Sequence, residues 1–161
     1  MRPFRDFMEQ ALYDPERGFY SRRTPTEDFY TAPELHGAFA AVLTRELVAR
    51  LEQLRAAGVP EPFTLVEMGS GTGTLARQVL SSLRKDFPFW SNRVRYIVVE
   101  RSNELMLESV VSLSSEFAGV LGHSRLSNLL PCSGVFFSNE LVDAFPVHLL
   151  EKRDGRIFEV F

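Results

Sequence analysis

Leu65-Val66-Glu67-Met68-Gly69-Ser70-Gly71-Thr72-Gly73-Thr74-Leu75 reads as a buried strand, an acid near its end, three glycines at alternate positions, and the start of a helix. Such a turn lets backbone N–H groups approach a ligand closely. It also aims a helix N-terminus, with its partial positive charge, at the same place. Around it the pattern alternates between strand and helix. A strand is predicted over 63–68 and a helix over about 74–86, with Leu75, Val79, Leu80 and Leu83 inward. Residues 95–100 form a second buried strand, and Ser102 is placed to cap a helix over about 103–117. Val135-Phe136-Phe137 mark another strand over 134–138, with a short helical segment after Asn139. Residues 148–152 and 156–161 flank Asp154-Gly155, a strong hairpin signal. These elements predict an α/β fold, a mostly parallel Rossmann-like sheet with helices on both faces. In such sheets ligands bind beyond the carboxyl ends of the strands.

Upstream, residues 3–12 read as a short helix, 13–18 as a turn cluster, and 19–30 as an ordered loop. A second helix is predicted to begin near Thr31-Ala32-Pro33-Glu34, where Thr and Glu are spaced as a capping box. Leu35, Phe39, Val42, Leu43, Leu47, Leu51 and Leu54 recur at helical spacing until Gly58 and Pro60 end it. The chain divides on this reading into an N-terminal arm, 1–62, and a core, 63–161, within one compact domain.

Composition sets bounds. The 161 residues suffice for one domain with a sizeable core. A net charge of −3, without a Lys/Arg cluster, argues against a nucleic-acid surface. The single Cys132 excludes a disulfide framework and a cysteine-based zinc cluster. His36, His123 and His148 lack metal-like spacing, so no metal is expected. No apolar run is long enough to span a membrane, and the first residues lack signal- and transit-peptide character. The expected compartment is a reducing cytoplasm.

Two ligand classes compete for the glycine turn. A dinucleotide fold wants G-x-G-x-x-G, but the third glycine of that pattern is Thr74 here. The observed Glu-x-Gly-x-Gly-x-Gly is similar to the first motif of class I S-adenosylmethionine (SAM) methyltransferases. SAM has no pyrophosphate to cradle, and its methionyl ammonium could be attracted by Glu67, directly or through water. Glu100, at the end of the next strand, could accept from both ribose hydroxyls. It follows Gly73 by 27 residues, longer than the roughly 20 of dinucleotide folds. Beyond the strand at 134–138, Asn139, Glu140 and Asp143 sit where a methyl acceptor would be oriented. Glu140 and Asp143 are three apart and share a face if the segment is a helical turn. Such a pair could hold a guanidinium and take up its proton. The alternative is that Asn139 caps the segment and the acids favour its N-terminus.

Separated segments together resemble the MidA-like SAM-dependent methyltransferases, a family that includes the mitochondrial complex I assembly protein arginine methyltransferase. They are residues 7–20 (FMEQALYDPERGFY), 28–34 (DFYTAPE), 67–75, 99–102 (VERS) and 139–148 (NELVDAFPVH). The resemblance implies SAM as cofactor, with Glu67, Gly69, Gly71, Gly73 and Glu100 lining its pocket. Asp28, Thr31 and Glu34 would close over it, and Asn139, Glu140 and Asp143 would face the acceptor. It implies a protein substrate, with arginine the favoured acceptor and a respiratory complex I subunit the family's partner. It also adds the mitochondrial matrix to the bacterial cytoplasm as a compartment. Departures are Glu27 for a usual glycine, Phe39-Ala40 for Phe-Gly, and Gln78 for an aspartate. Family members are about twice as long, so the expectation is a fragment or a shortened paralogue. The expected function is SAM-dependent methyl transfer. The alternative is a non-catalytic SAM-binding or interaction module, and a nicotinamide-dependent oxidoreductase is third.

Overall fold

The computed structural model describes residues 2–22 and 32–161. They belong to two compact units, Tyr30–Asn139, and Met1–Phe29 with Glu140–Phe161. The first unit carries a four-stranded sheet of order β3-β2-β1-β4, with every pairing parallel. Its strands are β1 (Phe63–Met68), β2 (Val94–Val99), β3 (Val120–His123) and β4 (Gly134–Ser138). The class is the Rossmann-like α/β arrangement expected. β1 is central and is buried from Phe63 to Glu67, as a strand covered on both faces must be.

The helices of this unit are α3 (Ala32–Leu35), α4 (Ala38–Ala56), α5 (Thr74–Asp86), α6 (Pro88–Ser91) and α7 (Asn103–Ser114). One large core takes Phe63 and Leu65 of β1 and Tyr96 and Val98 of β2. From the helices it takes Leu47 and Leu51 of α4, Val79 and Leu83 of α5, Trp90 of α6 and Leu113 of α7. The alternate residues Val66, Ile97 and Val99 form a smaller cluster on the other face, packed by Met68 and Leu129. Helices therefore crowd one face of this unit, and its second face is the thinner. Among the described residues, no helix is long and apolar enough to cross a membrane.

β1 and α5 fall where the sequence places them. α4 does not. It starts at Ala38, because the His36 ring accepts the Ala38 N–H (2.9 Å) and Gly37 separates it from the single turn of α3. Its buried stripe is Ala40, Thr44, Leu47, Val48 and Leu51, while Leu35 and Val42 are exposed. Thr44 can sit inside because its hydroxyl donates to the Ala40 carbonyl (2.6 Å). The boundary expected at residue 62 lies inside this unit, since α4 packs on α5 and β4. The Thr31 end of the expected capping box lies outside the described residues.

The second unit holds α1 (Phe4–Tyr13), the single turn α2 (Phe19–Arg22), and a hairpin of β5 (Leu150–Arg153) with β6 (Arg156–Glu159). The hairpin turns at Asp154 and Gly155, both left-handed (φ 47° and 76°), as a type I′ turn requires. Where the sequence suggests an ordered loop from residue 19, α2 forms instead, with the Phe19 ring edge-on to Tyr20.

Candidate functional site

The turn between β1 and α5 is built from backbone held by side chains of the neighbouring elements. Gly69 N–H continues the ladder to Val99 O (2.8 Å), and Gly73 N–H closes a turn on Ser70 O (2.9 Å). Gly71 and Gly73 have φ of 52° and 78°, a region open to glycine at little cost. Gly71 is fixed at both ends. Its N–H donates to Glu100 Oε2 (2.9 Å), and its carbonyl accepts from the Ser109 hydroxyl of α7 (3.0 Å). The other oxygen of Glu100 accepts from Ser102 N–H (3.1 Å), and Ser102 caps α7 through Leu105 N–H. One carboxylate thus ties the glycine turn to the start of the next helix. Glu100 is half-buried, and each of its oxygens keeps a lone pair for a further donor.

Several features of this turn suit a bound ligand. A Cβ added at Gly71 would meet nothing within 4 Å, so the backbone there faces open space. The Ser70 hydroxyl is buried with no hydrogen-bond partner among the described residues. The N-terminus of α5, 13 residues long, starts at the same turn. Two cavities of about 380 and 350 Å³ lie elsewhere. One is at the amino edge of the sheet beside Pro62 and Cys132, the other between α4 and β4. Neither gathers acids and backbone donors as the turn does.

Glu67 sits differently from Glu100. It is only 2% exposed, at the end of β1 on the strand face that carries Phe63 and Leu65 into the large core. Its Oε2 accepts from the Tyr96 hydroxyl (2.6 Å). Burial pushes its carboxyl up to about 7; the Tyr96 hydrogen bond pulls down, and the nearby Glu100 charge pushes up. The Tyr96 phenol is itself raised, by burial and then by the Glu67 charge. An acid with a raised folded-state value binds more protons folded than unfolded. Its contribution is thus lost as pH rises from about 4.5, the ordinary value, to about 7. Glu67→Gln should match the wild type in stability near pH 4 and exceed it by about 3 kcal/mol at pH 8. Urea denaturation at the two pH values measures this, and equal differences at both would contradict it.

The acceptor-side residues are divided. Asn139 follows β4 in the unit that carries the turn, whereas Glu140 and Asp143 belong to the other unit. No helical turn holds both Glu140 and Asp143. Only Val142–Ala144 forms a 3-10 turn, and Glu140 precedes it in the left-handed region (φ 49°). That turn is fastened to α1, because the Tyr13 hydroxyl donates to Ala144 O (2.8 Å). Tyr13 stacks on Tyr20 with centroids 5.5 Å apart. Burial, then the Asp143 charge, raises the Tyr20 phenol. Of the residues expected to cover the cofactor, Asp28 and Thr31 lie outside the described residues, as does the Glu34 side chain.

A family model described as S-adenosyl-L-methionine-dependent methyltransferase matches residues 42–161, three quarters of the chain. The chain belongs to this methyltransferase family. It is 31% identical over 98% of its length to the mitochondrial protein arginine methyltransferase NDUFAF7 homolog of Drosophila melanogaster, covering 40% of that protein. The corresponding Caenorhabditis elegans homolog is 25% identical over 97% of this chain and 41% of its own. A crystal structure from Burkholderia thailandensis, bound to S-adenosyl-homocysteine, superposes with a TM-score of 0.73 at 32% identity. It covers 98% of this chain and 41% of that one. The chain thus spans about two fifths of the length of the relatives it matches.

Within this methyltransferase frame, the departure at Gln78 has a local reason. Its amide donates to Pro33 O (2.8 Å), fastening α3 to α5. An ionised aspartate has no donor for that carbonyl. Two residues of the site went unread in the sequence, Tyr96 and Ser109. Tyr96 carries a usable signal, as a polar-tipped aromatic heading the apolar run Ile97-Val98-Val99. Ser109, buried in α7, carries none, since serine on a helix is ordinarily exposed.

Proposed function

We propose that this chain binds SAM at the Gly69–Gly73 turn and serves a methyltransferase acting on a protein arginine side chain. The observation that carries the cofactor half is the Glu100 carboxylate, pinned beside Gly71 with acceptor capacity to spare for the ribose hydroxyls. The S-adenosyl-homocysteine bound by the Burkholderia neighbour supports the same ligand class. Glu100 and Gly71, with the Ser70 hydroxyl, would hold the cofactor's nucleoside side. Gly69 and Gly73 shape the turn, and Glu67 lies beneath it. SAM supplies a methyl group on a sulfonium, electrophilic enough for a nitrogen nucleophile.

Arginine as acceptor rests on the relatives' printed activity and on the carboxylates of this chain. Asp143 and Glu140 would bind the guanidinium and take up the proton it loses, with Asn139 as an orienting amide. A complex I subunit is the partner expected from the family resemblance. The animal relatives are mitochondrial by name, so the proposed compartment is the matrix, or the cytoplasm in a bacterial host.

Calorimetric titration with SAM, S-adenosyl-homocysteine and NAD tests the cofactor. Binding of NAD without either SAM species would sink the proposal. Asp143→Ala should keep the wild-type affinity for S-adenosyl-homocysteine. It should lower tritiated methyl transfer to a glycine–arginine repeat peptide by about 100-fold. Unchanged transfer removes Asp143 from its role. Cofactor binding by a wild type that transfers nothing favours the non-catalytic module.

A further inference from the structure

Among the described residues, the Glu67 carboxyl is an acid buried without a counter-ion. Among the described residues, the Tyr96 hydroxyl is its hydrogen-bond partner, and no cation pairs with it. From β2 it meets Tyr96 and, at the strand's end, Glu100, a second acid. From β4 the register partner is Phe137, which is uncharged. From α5, the Arg77 guanidinium is committed to Glu116 and the Ser112 hydroxyl. The charged residues of α4 (Arg45, Glu46, Arg50, Glu52 and Arg55) are all exposed. On α7, Glu104 and Glu108 are exposed too, and the buried Ser109 hydroxyl is spent on Gly71 O. A lone buried carboxylate is costly, and such a group holds its proton until a positive charge arrives.

We infer that Tyr96 is a positioning residue for cofactor binding, its phenol orienting the Glu67 carboxyl so that arrival of a cationic amino-acid end and departure of the Glu67 proton are one event. This rests on the cofactor reading above. The ligand's ammonium supplies the positive charge that the core lacks, and the carboxylic acid becomes a carboxylate. The proton goes to solvent; no covalent bond to carbon or sulfur changes. The Tyr96 hydrogen bond stabilises the ionised form, so it sets the pH at which this exchange occurs. Burial and the raised value of Glu67 place that pH near neutrality.

The test is calorimetric titration of the full chain with S-adenosyl-homocysteine between pH 5.5 and 8. Each titration is run in two buffers of different ionisation heat. Wild type, Tyr96→Phe and Glu67→Gln are compared, after thermal melts show that all three fold. Subtracting the Glu67→Gln curve removes the titration of the ligand's own amine. The wild type should lose up to about tenfold in affinity per pH unit below 7 and release about half a proton at pH 7. Glu67→Gln should bind more weakly and release none. Tyr96→Phe should move the midpoint to higher pH, so that affinity drops at pH 7 and recovers toward pH 8. Wild-type binding with a flat pH profile and no buffer-dependent heat overturns the inference alone. So does a Tyr96→Phe curve lowered by the same factor at every pH, which marks a merely structural role. No binding at any pH overturns it together with the cofactor reading.

Discussion

Gly71→Arg should abolish S-adenosyl-homocysteine binding, by at least about 100-fold, while leaving the fold intact. The two halves of that expectation come from the same position. At φ 52° an L-residue costs about 1–2 kcal/mol, which a domain of ordinary stability survives. The side chain itself meets no protein atom, because a Cβ at Gly71 has nothing within 4 Å. It therefore projects into the space beside Glu100 that the proposed ligand needs, and its guanidinium can pair with that carboxylate. Gly71→Ala separates the effects. It imposes the backbone strain with only one added carbon, and should cost far less affinity than arginine. Calorimetry for binding and thermal melts for folding read both. If Gly71→Arg binds S-adenosyl-homocysteine as the wild type does, the pocket is elsewhere.

Gly134→Ala should be severely damaging for a change of one methyl group. A Cβ there would lie 1.8 Å from the Thr64 carbonyl oxygen, with the Thr64 carbonyl carbon at 2.6 Å and its nitrogen at 2.7 Å. All three are backbone atoms of the central strand, so no side chain can swing aside. Thr64 and Gly134 are register partners at the start of the β1–β4 ladder, and Thr64 N–H donates to Ser133 O (2.9 Å) just before it. Relief means parting the two strands at that end. A loss of about 3 kcal/mol or more is expected, at the upper end of overpacking effects. Denaturant unfolding checks it, and an unchanged midpoint would contradict the close approach. The mutation sits at the amino end of β4, away from the glycine turn. Its effect on ligand binding should therefore follow the folded fraction alone.

The parts of this molecule that could be read in advance are those governed by local chemistry. Phe63 to Met68 and Thr74 to Asp86 match the predicted bounds, because three glycines punctuate one apolar strand and one amphipathic helix. Asp154-Gly155 specifies its own turn. What escaped either lacks a strong local signal or depends on contacts distant in sequence. The α4 stripe runs through Thr44, whose hydroxyl is buried only because Ala40 offers a carbonyl. β3 is four residues long and includes Gly122 and His123, too little for a strand signal. Glu140 takes a left-handed conformation that nothing in its side chain requires. The Tyr96–Glu67 bond needs the β1–β2 register, which sets Glu67 opposite Val98 and so diagonal to Tyr96 on the same face. Glu100 was expected to receive ribose hydroxyls. Its hold on Gly71 and Ser102 could not be read from the spacing of the acids.

That hold has a mechanical consequence. With one oxygen on Gly71 N–H and the other on Ser102 N–H, Glu100 works as a rivet through three segments: the glycine turn, the end of β2 and the first turn of α7. Gly71 is thereby held by protein groups on both sides, Glu100 at its N–H and Ser109 at its carbonyl. Displacing any one of these segments means breaking a side-chain hydrogen bond to another, so the three shift together or not at all.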